Sequence, residues 1–219
     1  MINRIFILCN LYILLISGCT SHPPVIPQVP KEGKTNMGFA FSMENIIPVM
    51  WWRYPLNKYT DIGLKLGIPI SGTGVDISRI LMKKERRWDV LNFAYSISPN
   101  SSIDLTYYMF KINKKEKLSF DKPPLKTRWK AFRCMIIPNG IYKSNGDDKS
   151  IRFGFLFGRR FGEKWGFETG YFHDFKGGWN STEKYPHKDK RYKMPTQFSK
   201  GLGFSMQLFL HSTNALNQQ

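Results

Sequence analysis

The stretch that decides the fold of this 219-residue chain is Ile151-Arg152-Phe153-Gly154-Phe155-Leu156-Phe157-Gly158. Its odd positions hold only Ile and Phe, whereas its even positions hold Arg, Gly and Leu. Successive side chains of a β-strand point to opposite faces, so this period of two predicts a strand with one apolar face and one face of mostly small or charged residues. The same alternation occurs over 59–68 and 201–211.

Alternation of this kind runs along the whole chain beyond Asn36, where helical periodicity is almost absent. It predicts about ten strands. We expect them at 36–44, 46–54, 59–68, 74–82, 88–97, 102–113, 127–138, 150–160, 165–175 and 201–211. The two faces are least distinct over 127–138, which follows a long connection at 113–126.

Two interpretations of the alternation compete. In a soluble sandwich or calyx the apolar face is the interior, whereas in an outer-membrane barrel it meets lipid and polar residues fill the lumen. The predicted strands are about 9 to 12 residues long, as tilted membrane strands are, and longer than the about five or six residues usual in globular proteins. Their number is also even. These features favour an all-β, antiparallel up-and-down barrel of about ten transmembrane strands, of the outer-membrane type.

The minor face of the predicted strands holds glycine and ionisable residues, which suit a narrow lumen with mutual ion pairs. The expected lumen polar network consists of Glu44, Asp61, Lys65, Asp76, Arg152 and Glu168. Large aromatic residues fall near predicted strand ends, as an interfacial girdle requires. The expected girdle consists of Trp51, Trp52, Tyr54, Tyr59, Trp88, Trp129 and Trp165.

The N-terminus has the features of an export signal. Arg4 precedes an apolar run at 5–16, which is followed by Ser17, Gly18 and Cys19. Such a run covers only about 18 Å as a helix, short of a hydrocarbon core of about 30 Å, so it predicts a signal peptide. The sequence Leu-Ile-Ser-Gly-Cys at 15–19 resembles the lipobox of bacterial lipoproteins. This resemblance implies cleavage before Cys19 and a diacylglyceryl thioether on that residue.

The domain organisation follows from this start. We expect a signal peptide at 1–18, a lipidated tether at 19–35, the barrel at 36–211 and a tail at 212–219. Four prolines at 20–34 favour an extended polyproline tether. Threonine at position 20, by resemblance to enteric sorting rules, implies anchoring in the outer membrane of a Gram-negative bacterium. The first strand would then begin on the periplasmic side, with the connections at 55–58, 83–87, 113–126 and 161–164.

The net charge of +17 suits an anionic partner. Membrane lipid is the partner that we expect. Nucleic acid is not expected as a partner, because an exported, lipidated chain rarely meets it. The segment 176–200 holds seven Lys or Arg interleaved with aromatic residues. It is either a set of solvated basic loops or an outer surface that contacts lipopolysaccharide phosphates, and the sequence leaves both open.

Several motifs resemble a family of small bacterial outer-membrane barrels, many of them lipoproteins of unassigned function. They are WRYPL at 52–56, TDIGLKLG at 60–67, GVDI at 74–77 and FGEKWGFETG at 161–170. The resemblance implies a barrel fold and provides no catalytic residue to transfer. No terminal aromatic residue ends the chain, which continues to Gln219 and so departs from a common feature of such barrels.

We therefore expect a structural, binding or envelope-maintenance role without catalysis. The main alternative is a soluble periplasmic β-barrel lipoprotein that binds an apolar ligand. A more distant one is a lipid-modifying outer-membrane enzyme, in which His173, Asp174 and Ser181 would form a hydrolase triad. No two histidines have metal-ligand spacing, so neither a metal nor a cofactor is expected.

Overall fold

Residues 30, 33, 35–42, 48–67, 73–97, 101–112, 126–138, 150–161, 165–174 and 202–212 are described by a computed structural model of the chain. They form ten β-strands. The strands are β1 (Asn36–Ser42), β2 (Val49–Asn57), β3 (Thr60–Leu66), β4 (Thr73–Lys83), β5 (Arg87–Ile97), β6 (Ser102–Ile112), β7 (Thr127–Ile137), β8 (Ser150–Phe161), β9 (Trp165–Asp174) and β10 (Leu202–Ser212). Among the described residues there is no helix long and apolar enough to cross a membrane.

The strands close into a barrel. Each strand pairs antiparallel with its neighbours in the chain, and β1 pairs antiparallel with β10, with Phe39 opposite Leu210. Closure satisfies the backbone hydrogen bonds that an open sheet would leave exposed at its edges. The predicted all-β, antiparallel up-and-down barrel of about ten strands is confirmed, and each strand lies within a few residues of its expected range.

Two bulges lie near one end of the barrel. We call the end at which β1 begins, and which carries the turns at 57–60 and 83–87, the proximal end; the opposite end is the distal end. The β2–β3 register shifts between Pro55 and Asn57, and the β4–β5 register shifts between Ile80 and Met82. Proline has no N–H to give to the ladder, which explains why the pairing is irregular beside Pro55.

Away from the two bulges, side chains alternate between the inner face and the outer surface of the barrel. In β8, Arg152 and Leu156 are buried, whereas Phe155 and Phe157 are 57% and 51% exposed. The phenylalanine side of the stretch that predicted the fold therefore faces outward. β7 alternates just as regularly. Its inner face mixes Trp129, Ala131 and Arg133, so hydropathy alone obscured the alternation in that strand.

Glycines on the inner face make room for large side chains on the next strand. Gly158 is the cross-strand partner of Trp129, and a Cβ at position 158 would lie 1.9 Å from Trp129 Cε2. Gly38 stands in the same relation to Trp51, with a Cβ there 2.6 Å from Trp51 Cζ2. At these two positions the inner face has room for an indole ring because the residue opposite has no side chain.

We predict that Gly158→Ala destabilises the barrel by about 1–3 kcal/mol, because the added methyl group overlaps the Trp129 indole. The free energy of unfolding in detergent or lipid, measured with denaturant, gives this cost. In a Trp129→Leu background the same alanine should cost much less, since the ring is gone. Equal costs in the two backgrounds would show that Gly158 is not needed to make room for the Trp129 indole.

Candidate functional site

The inner face of β2, β3, β4 and β5 carries a charged cluster around Arg53. The Arg53 guanidinium donates to Ser78 Oγ at 2.6 Å and pairs with Asp76 Oδ1 at 2.8 Å. It also forms an ion pair with Asp61. Arg53 and Asp76 are both buried, and a buried charge needs such partners because it has lost its water. The cluster therefore joins three strands through one guanidinium.

Asn92 connects β5 to the same cluster. Its Nδ2 donates to Asp76 Oδ1 at 2.8 Å and lies 2.9 Å from Ser78 Oγ. Gly63 completes the arrangement, because a Cβ at that position would lie 2.2 Å from Asp76 Oδ2. The small residue in β3 thus provides the space that the carboxylate occupies.

Further buried cations follow around the inner face. Arg133 in β7 donates through Nε to Thr106 Oγ1 at 2.8 Å and through Nη2 to the Tyr108 hydroxyl at 2.9 Å. Lys65 in β3 donates to Ser96 Oγ at 3.2 Å and is fully buried. The inward charges of the described residues nearly balance. The cations are Arg53, Lys65, Arg133, Arg152 and Arg160, and the acids are Asp61, Asp76, Asp104 and Glu168.

Aromatic rings fill the inner face of β5, β6 and β7 at the proximal end. Trp88 and Phe110 stack with ring centroids 5.1 Å apart, and Phe110 contacts Trp129 at 5.8 Å. Tyr108 stacks on Phe110 at 5.5 Å. Trp129 Nε1 donates to Glu168 Oε2 at 2.7 Å, so the indole is bonded as well as packed. This aromatic stack and the ionic clusters occupy the lumen with the barrel's own side chains.

The expected interfacial girdle is partly wrong. Trp51, Trp88 and Trp129 are buried on the inner face and cannot line an outer interface. Each of these tryptophans is an even number of residues from an inward polar residue of its own strand, so it points inward as well. The outward members are Tyr54, Tyr59 and Trp165, which are exposed, and Trp52, which is half-buried. Phe161 is exposed at the same proximal end as Tyr54, Tyr59 and Trp165.

The lumen residues expected from sequence fall as follows. Lys65, Asp76, Arg152 and Glu168 are buried on the inner face, and the Asp61 carboxylate reaches Arg53 there. Glu44 lies outside the described residues, as do Cys19, most of the tether at 19–35 and the basic segment 176–200. Sequence reasoning missed Arg53, Asn92 and Arg133, although each of them stands between two apolar residues of its strand.

The outer surface is apolar all the way round. Each of the ten strands contributes at least one exposed large apolar side chain. On β2 to β5 these side chains form a shallow trough of about 420 Å³. Ile62, Val75 and Ile77 line its floor, between Tyr54 on one side and Phe93 on the other. A trough of this shape and composition can hold a flexible hydrocarbon chain.

Within the described part of the chain, no three His, Cys, Asp or Glu residues are grouped so that they could hold a metal ion. The geometry defines a class of protein: a closed antiparallel barrel with an ionic, self-filled interior and an apolar exterior. Comparison with protein-family models and with curated proteins gives no match to this chain.

We predict that Arg53→Met destabilises the barrel by about 3–5 kcal/mol, because Asp61 and Asp76 would remain enclosed without their cation. Denaturant unfolding in detergent or lipid measures the loss. Adding Asp76→Asn to the variant should recover part of it by removing one of the stranded charges. The exposed Arg79 is the matched control, and Arg79→Met should cost less than about 0.5 kcal/mol. A loss in Arg53→Met no larger than in the control would contradict the role assigned to the cluster.

Proposed function

We propose that this chain is a lipid-anchored outer-membrane β-barrel with a structural, binding or envelope-maintenance role and no catalytic activity. The observation that carries the proposal is the band of exposed large apolar side chains around all ten strands. Soluble monomers rarely expose contiguous apolar patches larger than a few hundred Å², because such surface is costly in water. Acyl chains are the surroundings in which a continuous apolar exterior is stable.

The interior supports the same proposal. The main alternative, a soluble lipoprotein calyx, needs an apolar cavity for its ligand. Here Arg53, Lys65, Arg133 and Arg152 are buried on the inner face, and an aromatic stack fills its proximal end. Polar inside and apolar outside is the arrangement of transmembrane barrels. A barrel of ten strands leaves little lumen beyond its side chains, so a wide pore does not fit the proposal.

The anchor part of the proposal rests on the sequence at 15–19, which resembles a lipobox ending in Cys19. The tether that follows leads to Asn36, where β1 begins at the proximal end. An acylated Cys19 in the inner leaflet of the outer membrane would place the proximal end toward the periplasm. The exposed Tyr59, Phe161 and Trp165 at that end suit the interfacial depth of a membrane.

We predict that Phe155→Arg destabilises the folded barrel in lipid vesicles by about 2–4 kcal/mol, as expected for a cation at the bilayer midplane. Phe155 lies in the middle of β8 and points outward. The matched control is Phe161→Arg at the proximal end of the same strand, which should cost about 0–1 kcal/mol. If Phe155→Arg costs no more than the control, or improves solubility without detergent, the outer surface faces water.

We also predict the behaviour of Cys19→Ser in a Gram-negative host. Labelled fatty acid should no longer enter the protein, because the thiol that accepts the diacylglyceryl group is absent. The unlabelled barrel should still resist extraction by alkaline carbonate and should still migrate differently in gels with and without heating. Release of Cys19→Ser into the carbonate wash would favour the soluble calyx, and continued labelling would contradict the anchor.

A further inference from the structure

The charged residues on the outer surface of the strands are confined to one end. Among strand residues whose side chains the structure describes, the outward-facing charges all lie toward the proximal end, and nearly all of them are cations. They are Arg79, Arg87, Asp89, Lys111, Arg128, Lys130 and Arg159. Toward the distal end the described outward side chains are apolar or uncharged, for example Tyr95, Ile97 and Ile136.

Four of these cations form one continuous row. Arg87 is the cross-strand partner of Lys111, Lys111 of Arg128, and Arg128 of Arg159. Neighbouring strands are about 4.8 Å apart, so the row places like charges side by side along the hydrogen-bonding direction. Directly opposed like charges destabilise a sheet. We call Arg87, Lys111, Arg128, Lys130 and Arg159 the cationic rim.

The row is not neutralised by the described part of the chain. Arg87 pairs with Asp89 through two contacts of 3.0 Å, and Asp89 also accepts from the Tyr107 hydroxyl at 2.7 Å. No described carboxylate pairs with Lys111, Arg128 or Lys130. The inner face has no surplus of carboxylates that could neutralise the row, because its own charges are nearly balanced. The rim therefore presents several exposed cations to whatever surrounds the proximal end.

We propose that the cationic rim binds the phosphate groups of anionic phospholipids. The inference rests on the proposed membrane-spanning function and goes beyond it by naming a lipid class and the residues that select it. Guanidinium and ammonium groups are strong donors to phosphate oxygens. The rim borders the apolar band directly. Phe132 is two residues from Lys130 in β7, and Phe157 is two residues from Arg159 in β8, so each pair lies side by side on the outer face. A lipid with its acyl chains on that band has its phosphate at the rim.

The position of the rim favours phospholipid over lipopolysaccharide. The rim is at the end where β1 begins, and the proposed acyl anchor precedes β1, so anchor and rim would share one leaflet. Aromatic residues accompany the cations there: the Arg159 guanidinium lies 5.5 Å from the Phe161 ring centroid, and Lys58 Nζ lies 5.1 Å from that of Tyr59. Such pairs of ring and cation suit the depth of lipid headgroups.

The test measures lipid selectivity by electron paramagnetic resonance. The mature chain is reconstituted in phosphatidylcholine vesicles that contain spin-labelled phosphatidylglycerol or, separately, spin-labelled phosphatidylcholine. The motionally restricted fraction of each label reports its association with the protein. We expect phosphatidylglycerol to associate about fivefold or more preferentially, since each cation near the surface adds to the attraction of an anionic lipid. High salt should reduce the preference.

The rim variant is Lys111→Gln, Arg128→Gln, Lys130→Gln and Arg159→Gln combined. It should bring the preference close to one, with the restricted phosphatidylcholine fraction unchanged. The matched control, Lys188→Gln, Lys190→Gln, Arg191→Gln and Lys193→Gln combined, removes the same charge from the basic segment 176–200 and should keep the preference. An equal loss in both variants would overturn the rim assignment, as would a wild-type preference near one or one insensitive to salt.

Two further outcomes separate the alternatives. If lipid A displaces labelled phosphatidylglycerol from the wild type and the rim variant abolishes this displacement, the rim selects lipopolysaccharide and our assignment to phospholipid is wrong. If neither label shows a restricted fraction, the barrel does not contact acyl chains, and the proposed function fails together with the inference. A restricted fraction without selectivity overturns the inference alone.

Discussion

The barrel depends on the compensation of charges that it encloses. Arg53 is buried in β2 and reaches carboxylates on β3 and β4, so the ion pairs hold adjacent strands in one register. A slip of one residue would turn every inward charge toward the outer surface and every outward phenylalanine toward the lumen. Polar pairing inside and apolar exposure outside are thus two consequences of a single alternating pattern in a closed sheet.

Much of this fold is predictable because the pattern is local. Gly63 and Lys65 alternate with Ile62 and Leu64, and such alternation specifies both a strand and the identity of its two faces. The direction of the faces was predicted from the length of the strands and from the glycine and ionisable residues of the minor face, which suit a narrow lumen. Local patterns do not show which strands are adjacent across the closure, and the pairing of β1 with β10 came from the assumption of an even, closed meander.

The tryptophans show where sequence reasoning failed. An indole is amphipathic, so it suits a membrane interface and equally a lumen where its N–H finds an acceptor. Trp129 lies in the lumen, where its N–H donates to Glu168 and its ring lies opposite Gly158. Trp129 is four residues from Arg133 in β7, so the two side chains share a face, and this spacing would have predicted an inward indole. Its nearness to a strand end instead led to the wrong prediction of an interfacial residue. The Arg53 cluster was missed for another reason: its partners are 8 to 25 residues away in sequence and meet only once the register is set.

The two ends of the outer surface differ, and this difference gives the proposed function its direction. Apolar side chains encircle the barrel, while the described outward cations lie toward the proximal end, where β1 begins. Side chains of the described strands occupy the inner face, so the proposed role rests on the outer surface. Contact with the lipids of one leaflet is consistent with a structural or binding role in the envelope.

The central claim is that the phenylalanine face of each strand meets acyl chains. Nitroxide labelling along β8 tests it most directly: single cysteines replace residues 153, 155, 156 and 157 in turn, in a Cys134→Ser background reconstituted in lipid vesicles. Position 154 is left out, because a Cβ there would lie 2.3 Å from the Phe172 ring. Labels at 153, 155 and 157 should collide with oxygen dissolved in the bilayer and be shielded from an aqueous nickel chelate, whereas a label at 156 should be shielded from both. High accessibility of 155 and 157 to the aqueous chelate would contradict the account.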